Sequence, residues 1–271
     1  MLKHVISFPH RLGQPRHGVE KAPSLLVNHF QKKHSFQHHE VHCEEEQEYF
    51  HKNVKRLFHV NNNIHQNELR LNIGGDHSMS LATVAHSLKH HAGCKVIWVD
   101  AHADINTFEA STTKNIHGMP LAYLTALSHD PRYSFIYNTL RFDRLLYVGL
   151  RSIDTFEEHI LKKHRIPYFT SHDINHHKDD CLSAIDVFLK DSPFHLSFDV
   201  DGFDPLLIKH TGTPVPHGLQ EKPGIELLQH LTSKQTLVNM DLTEVNPDVD
   251  QSPIDNTLKI IDQCLEPLWR K

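Results

Sequence analysis

Two aspartates and a histidine alternate in the stretch "VDAHADIN", directly after the apolar run "KVIW". Asp100, His102 and Asp104 are spaced two residues apart, and side chains with that spacing share one face of an extended segment. Carboxylates that pack together repel one another and take up protons unless a cation neutralises them. The stretch therefore predicts a cation site at the end of a buried strand.

Three further polar clusters follow predicted strands in the same way, each with two ionisable side chains. They are Asp76 with His77, Asp199 with Asp201, and Asp241 with Glu244. In open parallel sheets, ligands bind outside the carboxyl ends of the strands. We therefore expect these clusters to contribute to one site together with Asp100, His102 and Asp104.

The ligand types in these clusters indicate which metal they would hold and how many ions. Two histidines with at least four aspartates are too many for one ion, but they suit two ions that share bridging carboxylates. The set is rich in oxygen and lacks thiolate, which favours Mn²⁺ over Zn²⁺. Two neighbouring metals lower the pKa of a bridging water and deliver hydroxide at neutral pH. The residues thus predict a two-metal site that activates water.

The elements that must position this site are predicted by hydrophobic patterning. Apolar, β-branched runs predict strands near residues 2–8, 36–42, 69–73, 95–100, 144–149, 166–169, 194–199 and 236–241. Helical patterns lie between most of them, for example at 78–91, 179–190, 223–232 and 253–269. This alternation predicts an α/β fold, with a mainly parallel, eight-stranded sheet covered by helices on both faces. No linker interrupts the pattern, so residues 1–271 are expected to form a single domain.

Composition argues against several classes of protein. The net charge of −5 offers no basic surface for nucleic acid. No apolar stretch approaches the roughly 20 residues of a membrane helix, and the N-terminal segment lacks the apolar core of a secretory signal. Four separated cysteines without a CxxC motif are typical of reduced thiols. We expect a cytoplasmic protein with neither a nucleic-acid nor a membrane partner.

Histidine is unusually frequent, with 27 residues in the chain. Adjacent pairs such as His38–His39 and His90–His91 leave open a non-catalytic, histidine-rich metal-binding protein. No regular histidine tract exists, so we interpret most of these residues as solvated surface.

The clusters and their surroundings resemble the ureohydrolase family, which includes arginase, agmatinase, guanidinobutyrase and formiminoglutamase. The resemblance runs from "GQPRHGVEKAP" at Gly13 to "EVNP" at Asn246. It implies a single three-layer αβα domain around an eight-stranded parallel sheet, and two Mn²⁺ ions per subunit of a homo-oligomer. One ion would be held by His77, Asp100, Asp104 and Asp199. The other would be held by His102 and Asp201, with Asp100 and Asp199 bridging the two.

Two loops, "DINTFEASTTKNIHG" and "GLRSIDTFEEH", are similar to those of arginases in length and polar positions. The residues that this resemblance assigns to the substrate are Asn106, Thr113, Asn115, Asp154, Glu157 and Thr213. Asn106, Thr113 and Asn115 would contact the α-carboxylate of an amino acid. Asp154 and Glu157 would lie near its α-amino group. Thr213, in "GTPVPHGL", would help to orient Glu244.

The implied reaction is hydrolysis of the guanidinium group of L-arginine to L-ornithine and urea. Guanidinium stays protonated in proteins and is a poor electrophile, so the reaction needs a strong, positioned nucleophile. A metal-bridging hydroxide steered by Asp104 would attack the guanidinium carbon while Glu244 pairs with the nitrogens. His117 would deliver a proton to the departing amine.

Related enzymes offer two alternatives. A ureohydrolase acting on agmatine or a guanidino acid would share the metal chemistry, but agmatine has no α-carboxylate for the loop donors. Zinc-dependent deacetylases share a DxH motif but keep one metal, so a metal count separates them.

Several residues depart from the family pattern. Lys114 stands in the substrate loop where arginases usually carry glycine, and His17 and His217 also replace glycines. Lys222 and Pro223 occupy a region that makes a subunit contact in some arginases. Lys114 adds a cation to the loop that would bind a cationic substrate. Lys222 and Pro223 argue against the subunit contact by which some arginases form trimers.

Overall fold

The computed structural model describes residues 2–270 and places eight parallel strands of this range in one sheet. The strands are β1 (His4–Phe8), β2 (Gln37–Glu40), β3 (Arg70–Gly74), β4 (Lys95–Val99), β5 (Leu145–Leu150), β6 (Tyr168–Thr170), β7 (Phe194–Asp199) and β8 (Leu237–Thr243). Their order across the sheet is β2-β1-β3-β8-β7-β4-β5-β6. The predicted α/β class and the strand number are confirmed.

Eight α-helices in the same range connect and cover the strands. They are α1 (Ala22–Gln31), α2 (Phe50–Asn63), α3 (Ser80–His90), α4 (Pro120–Leu124), α5 (Thr155–His164), α6 (Ser171–Leu189), α7 (Glu221–Ser233) and α8 (Asp255–Arg270). Helices α1, α6, α7 and α8 pack in one hydrophobic core, and α2, α3, α4 and α5 pack in the other. The sheet separates the two cores, which gives the expected three layers.

The central strands are apolar on both faces because both faces are covered. In β4, Val96 and Trp98 belong to one core, whereas Ile97 and Val99 belong to the other. Successive side chains of a strand point to opposite faces, so an unbroken apolar run fills both cores at once. This explains why "KVIWV" shows no alternation of polar residues.

Some element ends differ from the prediction, and one difference moves a residue away from the site. Strand β8 continues to Thr243, so Asp241 lies within the strand rather than after it. Its carboxylate is fully buried and contacts His195 Nε2 at 2.9 Å. Helix α6 begins at Ser171, earlier than predicted, with a kink at His177 where φ and ψ are non-helical.

Neither a membrane-spanning helix nor a disulfide is found in the part of the chain that the structure describes. None of the helices within residues 2–270 is long and apolar enough to cross a bilayer. Cys43, Cys94, Cys181 and Cys264 are all free thiols.

Candidate metal centre and substrate pocket

The candidate site lies at the carboxyl ends of four strands that are neighbours in the sheet, β3, β8, β7 and β4. His77 is in the 3-10 turn after β3, and Asp100 follows β4. Asp199 ends β7, and Glu244 comes directly after β8. Because these strands are adjacent and parallel, side chains far apart in sequence meet at one edge.

The first cluster surrounds the imidazole of His77. Its Nδ1 atom lies 3.1 Å from Asp100 Oδ2, 3.0 Å from Asp104 Oδ2 and 3.3 Å from Asp199 Oδ2. All four side chains are buried. One nitrogen therefore faces three carboxylates in a water-poor setting.

The second cluster lies beside the first and shares a carboxylate with it. His102 Nδ1 is 3.0 Å from Asp201 Oδ2 and 3.4 Å from Asp100 Oδ1. Ligand atoms of these three residues lie within 4.8 Å of one another, as do those of His77, Asp100 and Asp199. Asp100 belongs to both groups, one oxygen facing each histidine.

The chemistry of both clusters fits divalent cations. His77 Nδ1 is buried and has no well-formed hydrogen bond, although three carboxylates face it. Burial and the neighbouring charges of Asp201 and Asp100 raise the pKa of Asp199 well above its usual range. Burial and Asp100 likewise raise the pKa of Asp104 to about 6. A cation would relieve this repulsion and take the free imidazole lone pair.

Neighbouring side chains fix the orientation of the first cluster. His77 Nε2 is 2.8 Å from Ser197 Oγ, so its other nitrogen is turned toward the carboxylates. The His77 ring stacks on Trp98 with centroids 4.2 Å apart, and Trp98 Nε1 donates to Asp100 Oδ2 at 3.0 Å. Such contacts hold metal-binding imidazoles and carboxylates in place.

Glu244 and His117 form a hydrogen-bonded pair next to the clusters. Glu244 Oε1 accepts from the His77 backbone N–H at 2.9 Å and lies 3.0 Å from His117 Nδ1, while Oε2 accepts from Gln14 at 2.7 Å. Burial alone would lower the pKa of His117, but Glu244 raises it to about 9. Glu244 (φ 63°) and Asp104 (φ 47°) both adopt left-handed backbone conformations, a strain often found at functional sites.

A cavity of about 140 Å³ opens beside the two clusters. Its lining is polar and combines predicted metal ligands with residues of the long loop that follows β4. It consists of His102, Asp104, Asn106, Ser111, Thr113, Asn115, His117, Gly118, Glu157, Asp199 and Thr213. Of the predicted catalytic and substrate-binding residues, Asp154 and Glu244 are not part of this lining, but each contacts a residue that is, Asn106 and His117 respectively.

Asp154 and Glu157 join the start of α5 to the cavity. They form a capping box, in which Asp154 accepts from the Glu157 backbone N–H at 2.9 Å and Glu157 accepts from that of Asp154 at 3.1 Å. Asp154 also accepts from the amide of Asn106. Burial is the main cause that raises the pKa of Glu157 to about 8.

Two residues make contacts other than those expected. Thr213 Oγ1 donates to Asp201 Oδ2 at 2.9 Å, whereas the described contacts of Glu244 come from other residues. Asp76 caps the turn that carries His77 and accepts from Gly13 N at 2.8 Å, so it supports the site from behind.

Sequence reasoning missed several residues that shape the site. Ser111 lines the cavity, Gln14 holds Glu244, and Ser197 holds His77. Arg151 donates to the backbone oxygen of Asp201 at 2.7 Å and to neighbouring loop carbonyls. Only Ser111 had a local signal, its place in the polar loop, since the other contacts join distant segments.

Comparisons with known proteins identify the family of the chain. The sequence model of the Arginase family matches residues 3–265. An arginase of Neurospora crassa is 40% identical over 200 residues, which are 69% of this chain and 56% of that protein. The mitochondrial arginase-2 of Rattus norvegicus is 40% identical over 184 residues, or 65% of this chain and 52% of that protein. The chain thus spans little more than half the length of these two curated relatives.

Solved structures give the same result over the whole fold. The arginase of Entamoeba histolytica, crystallised with L-ornithine, superposes with a TM-score of 0.90 and 30% identity, covering 99% of this chain and 98% of that one. The arginase of Bacillus subtilis has a TM-score of 0.90 at 28% identity and covers 100% and 99% of the two chains. With the family match along nearly its full length, this chain belongs to the arginase family.

Proposed function

We propose that this protein hydrolyses the guanidinium group of L-arginine to L-ornithine and urea with two manganese ions. The observation that carries the proposal is the pair of carboxylate–imidazole clusters that share Asp100 beside a polar cavity. The arginase names of its relatives and the L-ornithine in the Entamoeba structure support the choice of substrate. We also expect the protein to act as a cytoplasmic homo-oligomer.

The residues that would hold the ions are those expected from the sequence. His77, Asp100, Asp104 and Asp199 suit one ion, and His102, Asp100, Asp199 and Asp201 suit the other. The carboxylate-rich set favours Mn²⁺. Two such ions would supply a water molecule with a pKa low enough to serve as the nucleophile.

The chain's own residues would bind and orient the substrate. Glu244 offers a buried carboxylate for the guanidinium nitrogens, and Asp104 lies where it can orient the attacking water. Asn106, Thr113 and Asn115 offer donors for an α-carboxylate. Asp154 and Glu157, at the start of α5, offer acceptors for an α-amino group.

His117 would supply the proton that the departing amine needs. Its pKa of about 9 keeps the imidazole protonated at neutral pH, and its place in the cavity wall brings it to the substrate. Glu244, which holds His117 Nδ1, leaves its other ring nitrogen for the leaving group.

The test is urea release from L-arginine and from agmatine, measured side by side after Mn²⁺ loading at about pH 9. We expect turnover of arginine and little of agmatine. In the Asn106→Ala variant, kcat/KM for arginine should fall about tenfold or more, because a buried donor to the carboxylate is lost. Asn63→Ala, on the exposed end of α2, is the control and should match the wild type.

The alternative, a ureohydrolase for agmatine or a guanidino acid, predicts the opposite ranking of substrates. Wild-type turnover of agmatine that equals or exceeds that of arginine would keep the metal chemistry and refute the assignment of the loop. No urea from either substrate in a protein that holds two ions would refute arginine as the substrate.

A further inference from the structure

Within the substrate loop, the side chain of Lys114 folds back onto residues that precede it by five and six positions. Its Nζ donates to the Phe108 carbonyl at 2.5 Å and to the Glu109 carbonyl at 3.4 Å, and lies 5.1 Å from the centroid of the Phe108 ring. We call these three residues the Lys114 clasp. Both partners lie five to six residues earlier in the chain, so the clasp closes the intervening segment into a ring.

The segment inside the clasp carries donors that line the cavity. Ser111 and Thr113 lie within it and Asn115 directly follows it, and all three face the cavity. Ser111 Oγ accepts from the Lys114 backbone N–H at 3.0 Å, and Ser111 N donates to the Thr107 carbonyl at 2.9 Å. The clasp and the cavity wall are therefore built from the same turn.

Lys114 occupies a backbone conformation that lysine does not favour by itself. Its φ is 62°, in the left-handed region that suits glycine. The side chain is turned to the Phe108 side and is not part of the cavity lining. The strained backbone is thus held by side-chain contacts outside the cavity.

We propose that Lys114 is a positioning residue for substrate binding, which acts by fixing the donors of residues 111–115 in their cavity-facing arrangement. The inference rests on the proposed function, because it assigns the ordered donors to the α-carboxylate of the substrate. A pre-ordered loop spares the substrate the cost of ordering it on binding. Lys114 therefore acts on KM rather than on the chemical step.

The test compares Lys114→Met with Lys114→Arg in the manganese-loaded protein. Methionine is unbranched and as long as lysine up to Cε, and it keeps the strain of a positive φ, so this change removes the ammonium with little other change. Arginine keeps a donor and a cation for the Phe108 ring. Lys190→Met is the matched control, since Lys190 also has a positive φ of 50° and is exposed at the end of α6.

Two measurements are made on each variant, steady-state kinetics with L-arginine and hydrogen exchange of the amides of residues 107–115 without substrate. For Lys114→Met we expect KM to rise about threefold to tenfold with kcat within about twofold, and the exchange of the Ser111 and Lys114 amides to accelerate. Lys114→Arg should keep KM and the amide exchange rates near those of the wild type, and Lys190→Met should match the wild type in both.

Three results would overturn the inference. Unchanged exchange in Lys114→Met would show that the clasp does not order the loop. Faster exchange with an unchanged KM would show an ordering that does not serve binding. A fall in kcat with KM unchanged would place Lys114 in the chemical step. If the wild type itself does not hydrolyse arginine, the proposed function fails, and the exchange measurement still tests the clasp separately.

Discussion

Asp100 is the residue on which both clusters depend, since its two oxygens face different histidines. Asp100→Asn should therefore lower the occupancy of both metal positions, because a neutral amide is a weaker ligand and no longer offsets the cation charge. We expect the variant to bind less than about half of the wild-type Mn²⁺ and to lose turnover by about a hundredfold or more. Metal analysis after dialysis measures the first, and urea release the second.

The control for this change is Asp143→Asn, which removes an exposed carboxylate paired with Arg141. Wild-type metal content in Asp100→Asn would mean that this carboxylate is not a ligand. Loss of one ion only would mean that it does not bridge.

The role proposed for His117 differs from that of the proposed metal ligands, although it lies beside them. His117→Asn should lower kcat by about a hundredfold or more while both metals stay bound, because it removes a proton donor and no ligand. The protonated donor is present below its pKa of about 9 and is lost above it, so wild-type kcat should decline above about pH 9. A pH profile of kcat and a metal count test both points, and loss of metal in the variant would contradict the assignment.

At the scale of elements, the start of α5 serves the fold and the pocket together. Asp154→Ala removes the capping box and the acceptor for Asn106. We expect a loss of about 1 kcal/mol in the free energy of unfolding and a rise in KM for arginine. Urea denaturation and kinetics measure the two effects.

Helix α6 offers a matched control, because Thr170 and Asp173 form the same kind of capping box there. Thr170→Ala should cost about as much stability and leave KM unchanged, since α6 lies outside the cavity lining. Equal changes of KM in both variants would mean that the effect of Asp154 is only structural.

The ends of the strands show how much hydrophobic patterning can predict. Strand β4 and the polar side chains at its end were predicted directly, because an apolar run followed by alternating polar residues marks both the strand and its end. The end of β8 was predicted two residues early, which put Asp241 in the site. Asp241 is polar but buried, and its partners His195 and Thr83 come from other elements, so local pattern could not reveal them.

For the whole molecule, buried histidines predict sensitivity to acid. Burial and the nearby charge of Arg70 lower the pKa of His86 to about 2. Burial and the charge of Arg11 lower the pKa of His10 to about 3. The unfolded chain takes up protons at these two residues below about pH 6.5 and the folded protein does not, so their contribution to stability falls as the pH falls. Between pH 7 and pH 5, His86 and His10 should each lower the free energy of unfolding by about 2 kcal/mol.

The measurement is the free energy of unfolding at these two pH values for the wild type and His86→Gln. The variant should lose about 2 kcal/mol less than the wild type over this interval, because glutamine does not titrate. His59→Gln, on the exposed side of α2, should lose as much as the wild type. A parallel loss in all three proteins would exclude His86 as a source of the acid sensitivity.

The sequence by itself determined the alternation of strands and helices, the polar ends of the strands and the ligand types, because these depend on short-range periodicity and on side-chain chemistry. Tertiary structure decided the strand order β3-β8-β7-β4, which brings His77, Asp100 and Asp199 together. It also decided that Gln14 would hold Glu244, across 230 residues of chain, and that Lys114 would fold back on Phe108. Strand order follows from how the crossovers pack on the sheet, and such contacts depend on that packing, so no local pattern contains them.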